Sequence, residues 1–179
     1  AQPIIASGIC YGQLDIEADP QATQLAALQF AQLDWPKQLI LRTSPAIRCQ
    51  ALASAIQLIR PDFIIQTDAR LLEMNFGSWE GKAWEHIAKQ EIDDWVADFA
   101  HYKVGGGESS QMMLERVNSA LNDYMQKAIN EVWITHNGVL KSLLCIQSGH
   151  LNLSQAQDWP KVQLPFGQSY CLDLKPLQK

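Results

Sequence analysis

The chain has 179 residues, a net charge of −5, and 47% hydrophobic against 18% charged residues, values that fit one globular domain with a sizeable core and exclude a disordered chain. The acidic balance excludes broad binding to nucleic acid or anionic membranes, while leaving room for a local cationic pocket around one phosphate. No apolar run approaches membrane-spanning length.

In chain order, residues 1–19 carry Pro3, Gly8 and Gly12 and read as loop, with Ile4-Ile5 and Ile9-Cys10-Tyr11 as apolar clusters. Pro20 to Leu33 has helical spacing, with Asp19 as a cap and Pro20 in the first turn. Gln38–Thr43 reads as a short buried strand. A helix follows from Pro45 to Ile59, with Arg48 in its first turn, and Arg60-Pro61-Asp62 ends it. Phe63–Thr67 is a second strand. The stretch Leu71–Gly81 packs two carboxylates, two glycines and two aromatics without helical or strand periodicity. It reads either as a surface Ω-loop pinning aromatics on the core, or as a loop holding a carboxyl group over a pocket.

Trp84–Tyr102 reads as one or two helices with Trp95 and Phe99 on the apolar side, and Val104–Ser109 as a flexible break. Ser109 or Ser110 caps the next helix, which runs to about Ile129. Val132–Thr135 is a third strand, and His136-Asn137-Gly138 turns directly into a helix over Val139–Ile146. Ser169–Leu174 reads as a last strand near a sheet edge. Strands alternating with helices predict an α/β three-layer sandwich around a mainly parallel sheet, in a single domain spanning 1–179. Cys10, Cys49, Cys145 and Cys171 are scattered with no C-x-x-C pair, which fits reduced thiols in a cytoplasmic protein better than a disulfide frame or a zinc site. No signal peptide is evident, and a chain beginning at Ala1 reads as a processed or truncated product.

Ligands of such sheets bind beyond the carboxyl ends of the strands. Two strand ends here pass straight into helices with polar groups, one delivering Arg42, Thr43, Ser44 and Arg48, the other His136, Asn137 and Gly138. Helix-start amides at Asn137 and Gly138 favour an anion, and a cation such as Arg48 is poorly placed at a helix start unless it serves a site. Glu73 lies on a loop after another strand and is within reach of that rim. Bland readings compete. Arg42 is read as the partner of a carboxylate, Trp79 and Trp84 as core, His86, His101 and His150 as surface or packing groups, and Gly105-Gly106-Gly107 as a weak phosphate-loop signal.

Four motifs in this order, S-P-A-I-R (Ser44–Arg48), L-x-E-x-x-F-G-x-W-E-G (Leu71–Gly81), G-G-E-S (Gly106–Ser109) and T-H-N-G-V (Thr135–Val139), resemble the histidine phosphatase, or phosphoglycerate mutase-like, superfamily. Gly8–Ile16 resembles its alpha-ribazole phosphatase branch. The resemblance implies a phosphomonoesterase without metal or cofactor, acting through a phosphohistidine on a small phosphorylated substrate such as alpha-ribazole 5'-phosphate of the cobalamin pathway. It implies that Arg48 and His136 clamp the phosphoryl oxygens with the Asn137 and Gly138 amides. Glu73 would be the general acid and base, Tyr11, Gln13 and Glu108 would lie on the substrate side, and residues 70–108 would form a cap-like insertion. The Arg-His motif carrying the family's nucleophile, and the first strand that would bear it, are missing from 1–179; the expectation is a cut just before Ala1. The alternatives are a phosphate-binding remnant and a mutase-type phosphotransferase. Cys10 and Ser44 stand as substitute nucleophiles that nothing in the sequence activates. The oligomeric state is open.

Overall fold

The computed structural model describes residues 1–127 and 131–172. Helix α1 (Pro20–Ala31) starts where Asp19 Oδ1 accepts a hydrogen bond from the Ala22 amide at 2.7 Å, with Pro20 supplying the fixed φ of a first turn. Strand β1 (Ile40–Thr43) leads through Ser44-Pro45 into α2 (Ile47–Ile59), which stops at Arg60 because the residue before Pro61 is pushed out of the helical region. Strand β2 (Ile64–Thr67) is followed by α3 (Lys89–Ala97), α4 (Ser110–Lys127), β3 (Glu131–Ile134) and α5 (Asn137–Gln147). The three strands are parallel in the order β2-β1-β3, with Ile40 opposite both Ile64 and Glu131.

The period-2 alternation of the strands sorts side chains onto two cores. Leu39, Leu41, Val132 and Ile134 pack with Ala27 of α1 and Cys49, Ala53 and Ile56 of α2. Trp133 turns the other way, toward Met113, Leu114 and Val117 of α4 and Val139, Leu143 and Ile146 of α5. Helices on both faces of a parallel sheet make the expected three-layer α/β sandwich. Arg42 behaves as the pairing reading had it: its Nε and Nη2 fork onto Glu131 at 2.6 and 2.5 Å across the β1–β3 boundary. Burial alone would raise the Glu131 carboxyl, but the Arg42 bond, the Trp133 indole and the charges of Arg42 and Lys127 together hold it below the usual range. No described helix is long and apolar enough to cross a membrane.

Three expectations change. Residues 169–172 form no strand, and the rest of the expected strand, 173–174, lies outside the described residues. Tyr170 is 50% exposed, and the described residues 169–172 pair with neither open edge of the sheet. Among the described residues β3 is paired on one side only, and 1–19 holds just two isolated bridges, Pro3 with Ala18 and Ile9 with Ala83. The stretch 84–102 resolves into a single turn (Trp84–His86) and α3, and the expected end of α4 near Ile129 lies outside the described residues. Val104–Gly106 is not a flexible break but a packed turn with Val104 fully buried.

Candidate active site

Because the strands are parallel, their carboxyl ends share one edge, and three connections bring side chains there. Arg48 sits on the first turn of α2, His136 immediately precedes α5, and Glu73 follows the turn Ala69–Leu71 after β2. Thr135 Oγ1 donates to the Leu71 carbonyl at 2.7 Å and ties the end of β3 to the Glu73 loop. Arg48 Nη2 lies 3.3 Å from His136 Nδ1, and the Gly138 amide donates to Glu73 Oε2 at 3.2 Å. Arg48, His136, Gly138 and Glu73, spread over 91 positions of sequence, therefore form one chain of contacts.

The His136 ring is a neutral imidazole. Burial first, and then Arg48 and the Ala1 ammonium group, push its pKa down to about 3. A guanidinium can only donate, so Nδ1 is the acceptor and Nε2 carries the proton, which points to Ser44 Oγ at 2.9 Å. That tautomer cannot take a proton from Ser44, so Ser44 is not activated. Burial pushes the Cys49 thiol, 3.6 Å from His136 Nε2, up to about 11, and burial with Glu80 pushes Cys10 up to about 12. Neither is a thiolate nucleophile at neutral pH.

Glu73 is held in a tight cradle. Its Oε1 accepts from the Met74 amide at 2.9 Å, and a Cβ placed on Gly138 would come within 2.0 Å of Oε1, so any larger residue there would push the Glu73 carboxyl out of its present position. Burial raises the Glu73 pKa against the opposing pull of its two backbone donors and of Arg48 and Arg116. Arg116, which sequence reasoning missed, holds the loop from behind. It donates to the carbonyls of Arg70, Leu72 and Glu73 at 2.7, 2.8 and 3.1 Å and forks onto Glu108 at 2.7 and 2.9 Å. The one signal for it was a charged residue beside Met113 and Val117 on the buried stripe of α4.

The expected substrate-side residues divide. Tyr11 lines a cavity of about 320 Å³ together with Gly12, Glu73, Asn137, Gly138 and Lys141. Gln13 is instead turned to the Glu73 carbonyl, to which its Nε2 donates at 2.9 Å. Glu108 is 8% exposed and does not line the cavity, because Arg116 and the Asn75 amide take up its carboxylate; it bears on the site by fixing the loop. The Asn137 side chain is engaged by Leu164 through both its amide atoms, which leaves only its backbone to face an anion. Arg48 and His136 lie behind the Tyr11–Leu14 segment rather than on the cavity wall, Arg48 donating to the carbonyls of Gly12 at 2.7 Å and Leu14 at 2.9 Å. Trp79 is core, as read, whereas Trp84 lines the cavity. His86, His101 and His150 are exposed. Among the described residues no three His, Cys, Asp or Glu side chains gather as metal ligands.

The family model of the histidine phosphatase superfamily (branch 1) matches residues 6–165, nearly the whole chain. The chain belongs to the histidine phosphatase superfamily. Its similarity to individual members is modest. A Hydrogenobacter thermophilus protein named "Putative phosphoserine phosphatase 2" is 27% identical over 147 residues, covering 79% of this chain and 71% of that protein. Mycobacterial glucosyl-3-phosphoglycerate phosphatase, solved with inorganic phosphate, superposes with a TM-score of 0.68 at 21% identity over 88% of this chain and 78% of its own. The alpha-ribazole phosphatase of Shigella flexneri superposes with a TM-score of 0.67 at 22% identity over 79% and 72%. At those identities the solved structures establish the fold, and the expected phosphoglycerate mutase-like architecture of this histidine phosphatase is borne out.

Proposed function

We propose that this histidine phosphatase hydrolyses a small phosphomonoester by a metal-independent double displacement in the cytoplasm, with Glu73 as general acid and base. The observation that carries the reading is the setting of Glu73: a carboxyl whose pKa burial raises, on the amide of Gly138 at the start of α5, one contact from the Arg48–His136 pair. A dianionic phosphate entering beside it raises that pKa further and so keeps a proton ready near neutral pH. In the first half-reaction an imidazole nitrogen attacks phosphorus, the ester P–O bond breaks, and the Glu73 proton passes to the leaving oxygen. In the second, Glu73 takes a proton from water, the resulting hydroxide attacks phosphorus, the N–P bond breaks and inorganic phosphate leaves. Arg48, His136 and the Asn137 and Gly138 amides take up charge on the phosphoryl oxygens, for which Arg48 must exchange carbonyl partners in the Tyr11–Leu14 segment for the phosphate.

The attacking imidazole is assigned to an Arg-His segment joined ahead of Ala1. Support comes from the Ala1 amino group, which lies within electrostatic reach of Arg48, Cys49 and His136, so a residue joined to it enters at the site. Residues 70–108 act as the cap. The leaving group is proposed to be nucleotide-like, as in alpha-ribazole phosphate, in line with the Shigella relative. A second reading, phosphate binding without turnover, is favoured by the engagement of both His136 ring nitrogens, by Arg48 and by Ser44, which leaves neither aimed at phosphorus.

The decisive experiment on Glu73 uses protein carrying the Arg-His strand. Glu73→Gln keeps size but moves no proton, so hydrolysis of an alkyl phosphate falls by roughly 10²–10⁴, and that of an aryl phosphate with a good leaving group falls much less. An alkyl phosphate hydrolysed at the unmutated rate would remove Glu73 from the chemistry.

A further inference from the structure

The peptide between Glu73 and Met74 is gripped at both ends. Its N–H donates to Glu73 Oε1 at 2.9 Å. Its carbonyl accepts twice, from Arg116 Nη2 at 3.1 Å and from Gln13 Nε2 at 2.9 Å. In a trans peptide the carbonyl and the N–H point opposite ways from one rigid plane, so whatever fixes the first aims the second. The two donors come from different parts of the fold, Arg116 from α4 and Gln13 from the segment that covers Arg48. Together they turn the Met74 amide onto one carboxyl oxygen of Glu73, while the Gly138 amide holds the other at 3.2 Å.

A guanidinium carries five N–H donors in a rigid fork. Arg116 uses all five: Nε and Nη2 on the two oxygens of Glu108, Nη1 on the carbonyls of Arg70 and Leu72, and Nη2 again on Glu73. Stability alone is a poor account of such a residue, because apolar side chains of similar volume often replace a buried ion pair without loss. The same helix already supplies such side chains at Met113 and Val117, both fully buried. Nor is the charge the main effect. Among the influences on the Glu73 proton Arg116 ranks last, behind burial, the two amides and Arg48. What Arg116 supplies is direction: three carbonyls of one loop drawn toward α4 leave that loop one way to present its carboxyl. We propose that Arg116, seconded by Gln13, is the positioning residue of the general acid, acting on Glu73 through the Glu73–Met74 peptide without touching substrate. This rests on the reading of Glu73 as general acid and base.

The test uses protein carrying the Arg-His strand, two esters and two backgrounds. Rates are compared as kcat/KM, which covers only the steps up to departure of the leaving group. An alkyl phosphate needs the proton of the general acid, and an aryl phosphate with a good leaving group needs it far less. Arg116→Lys keeps the cation, but its three donors on one nitrogen cannot span Glu108 and three carbonyls. The alkyl rate falls about 10²-fold and the aryl rate by less than about threefold. Gln13→Leu leaves Arg116 in place and gives a smaller loss with the same bias toward the alkyl ester. In a Glu73→Gln background Arg116→Lys costs less than about twofold more, because the group it positions is gone. The alkyl-to-aryl ratio does not depend on the fraction of protein folded, and Gln13→Leu reads the same ratio should Arg116→Lys not fold. Equal losses on both esters, or a full cost of Arg116→Lys in the Glu73→Gln background, would make Arg116 a strut of the fold and overturn the proposal while leaving Glu73 its role. A Glu73→Gln protein with an unchanged alkyl rate would instead remove the general acid, and the positioning role with it.

Discussion

At the scale of single residues, Glu73 and His136 hold protons in reversed order. Free in solution an imidazole keeps its proton to higher pH than a carboxyl group. Here burial raises Glu73 and, with Arg48, lowers His136 to about 3. The consequences for stability run in opposite directions. Below pH 6.5 the unfolded chain protonates His136 while the folded one does not, so stability is lost as pH falls from 6.5 toward about 3. Above pH 4.5 the folded chain keeps the Glu73 proton that the unfolded chain releases, so stability is lost as pH rises from 4.5 to the folded pKa. Each contributes a slope of at most about 1.4 kcal/mol per pH unit, and the two oppose each other from pH 4.5 up to the folded pKa of Glu73. Denaturant unfolding across this range should therefore show Glu73→Gln gaining on the parent as pH rises above 4.5, and His136→Gln gaining as pH falls below 6.5. Three parallel profiles would mean that neither group carries the assigned shift. The motifs singled out both residues, because Glu73 sits in a glycine-aromatic loop and His136 ends a strand. They did not single out Arg116, whose role depends on three carbonyls contributed by a distant loop.

At the scale of elements, the Glu73 loop is fixed by backbone packed on backbone. A Cβ on Gly77 would lie 2.2 Å from the Gly105 carbonyl oxygen, and one on Gly105 would lie 2.2 Å from that of Phe76. Both glycines have positive φ, 54° and 57°. The Glu108 amide donates to Asn75 O at 2.8 Å and completes the clasp between the two loops. Gly77→Ala thus combines a disfavoured backbone conformation with a collision that no side-chain rotation relieves. A loss on the order of 2–4 kcal/mol in unfolding free energy is expected, with Gly106→Ala, whose Cβ would meet nothing within 4 Å, costing less. Equal losses would show that backbone conformation, not the clasp, sets the cost. From sequence the two glycine stretches read separately, one as a turn-rich loop and one as a flexible break. Their interlock was illegible because it pairs segments 28 residues apart through backbone atoms, which leave no periodicity. The strands and long helices were legible, since short apolar runs and 3.6-residue spacing follow from burial on a sheet face and a helix stripe.

At the scale of the whole molecule, the parallel sheet gathers a site from β1, β2 and β3 at one edge, and that convergence was readable because parallel strands put every carboxyl end on the same side. The last strand was not, because an apolar run does not record whether its backbone meets a sheet edge: Ser169, Tyr170 and Cys171 are exposed and Leu172 packs on the core without strand pairing. On the proposed mechanism the site in 1–179 has clamp and proton donor but no aligned nucleophile: both His136 nitrogens are engaged, by Arg48 and Ser44, and the thiols of Cys10 and Cys49 are held protonated. The most direct measurement is phosphate-ester turnover by purified residues 1–179 and by the same chain extended upstream through an Arg-His strand, both in the presence of chelator. The account predicts no turnover by 1–179 and chelator-resistant turnover by the extended chain. Comparable turnover by the two would place the nucleophile within 1–179 and contradict it.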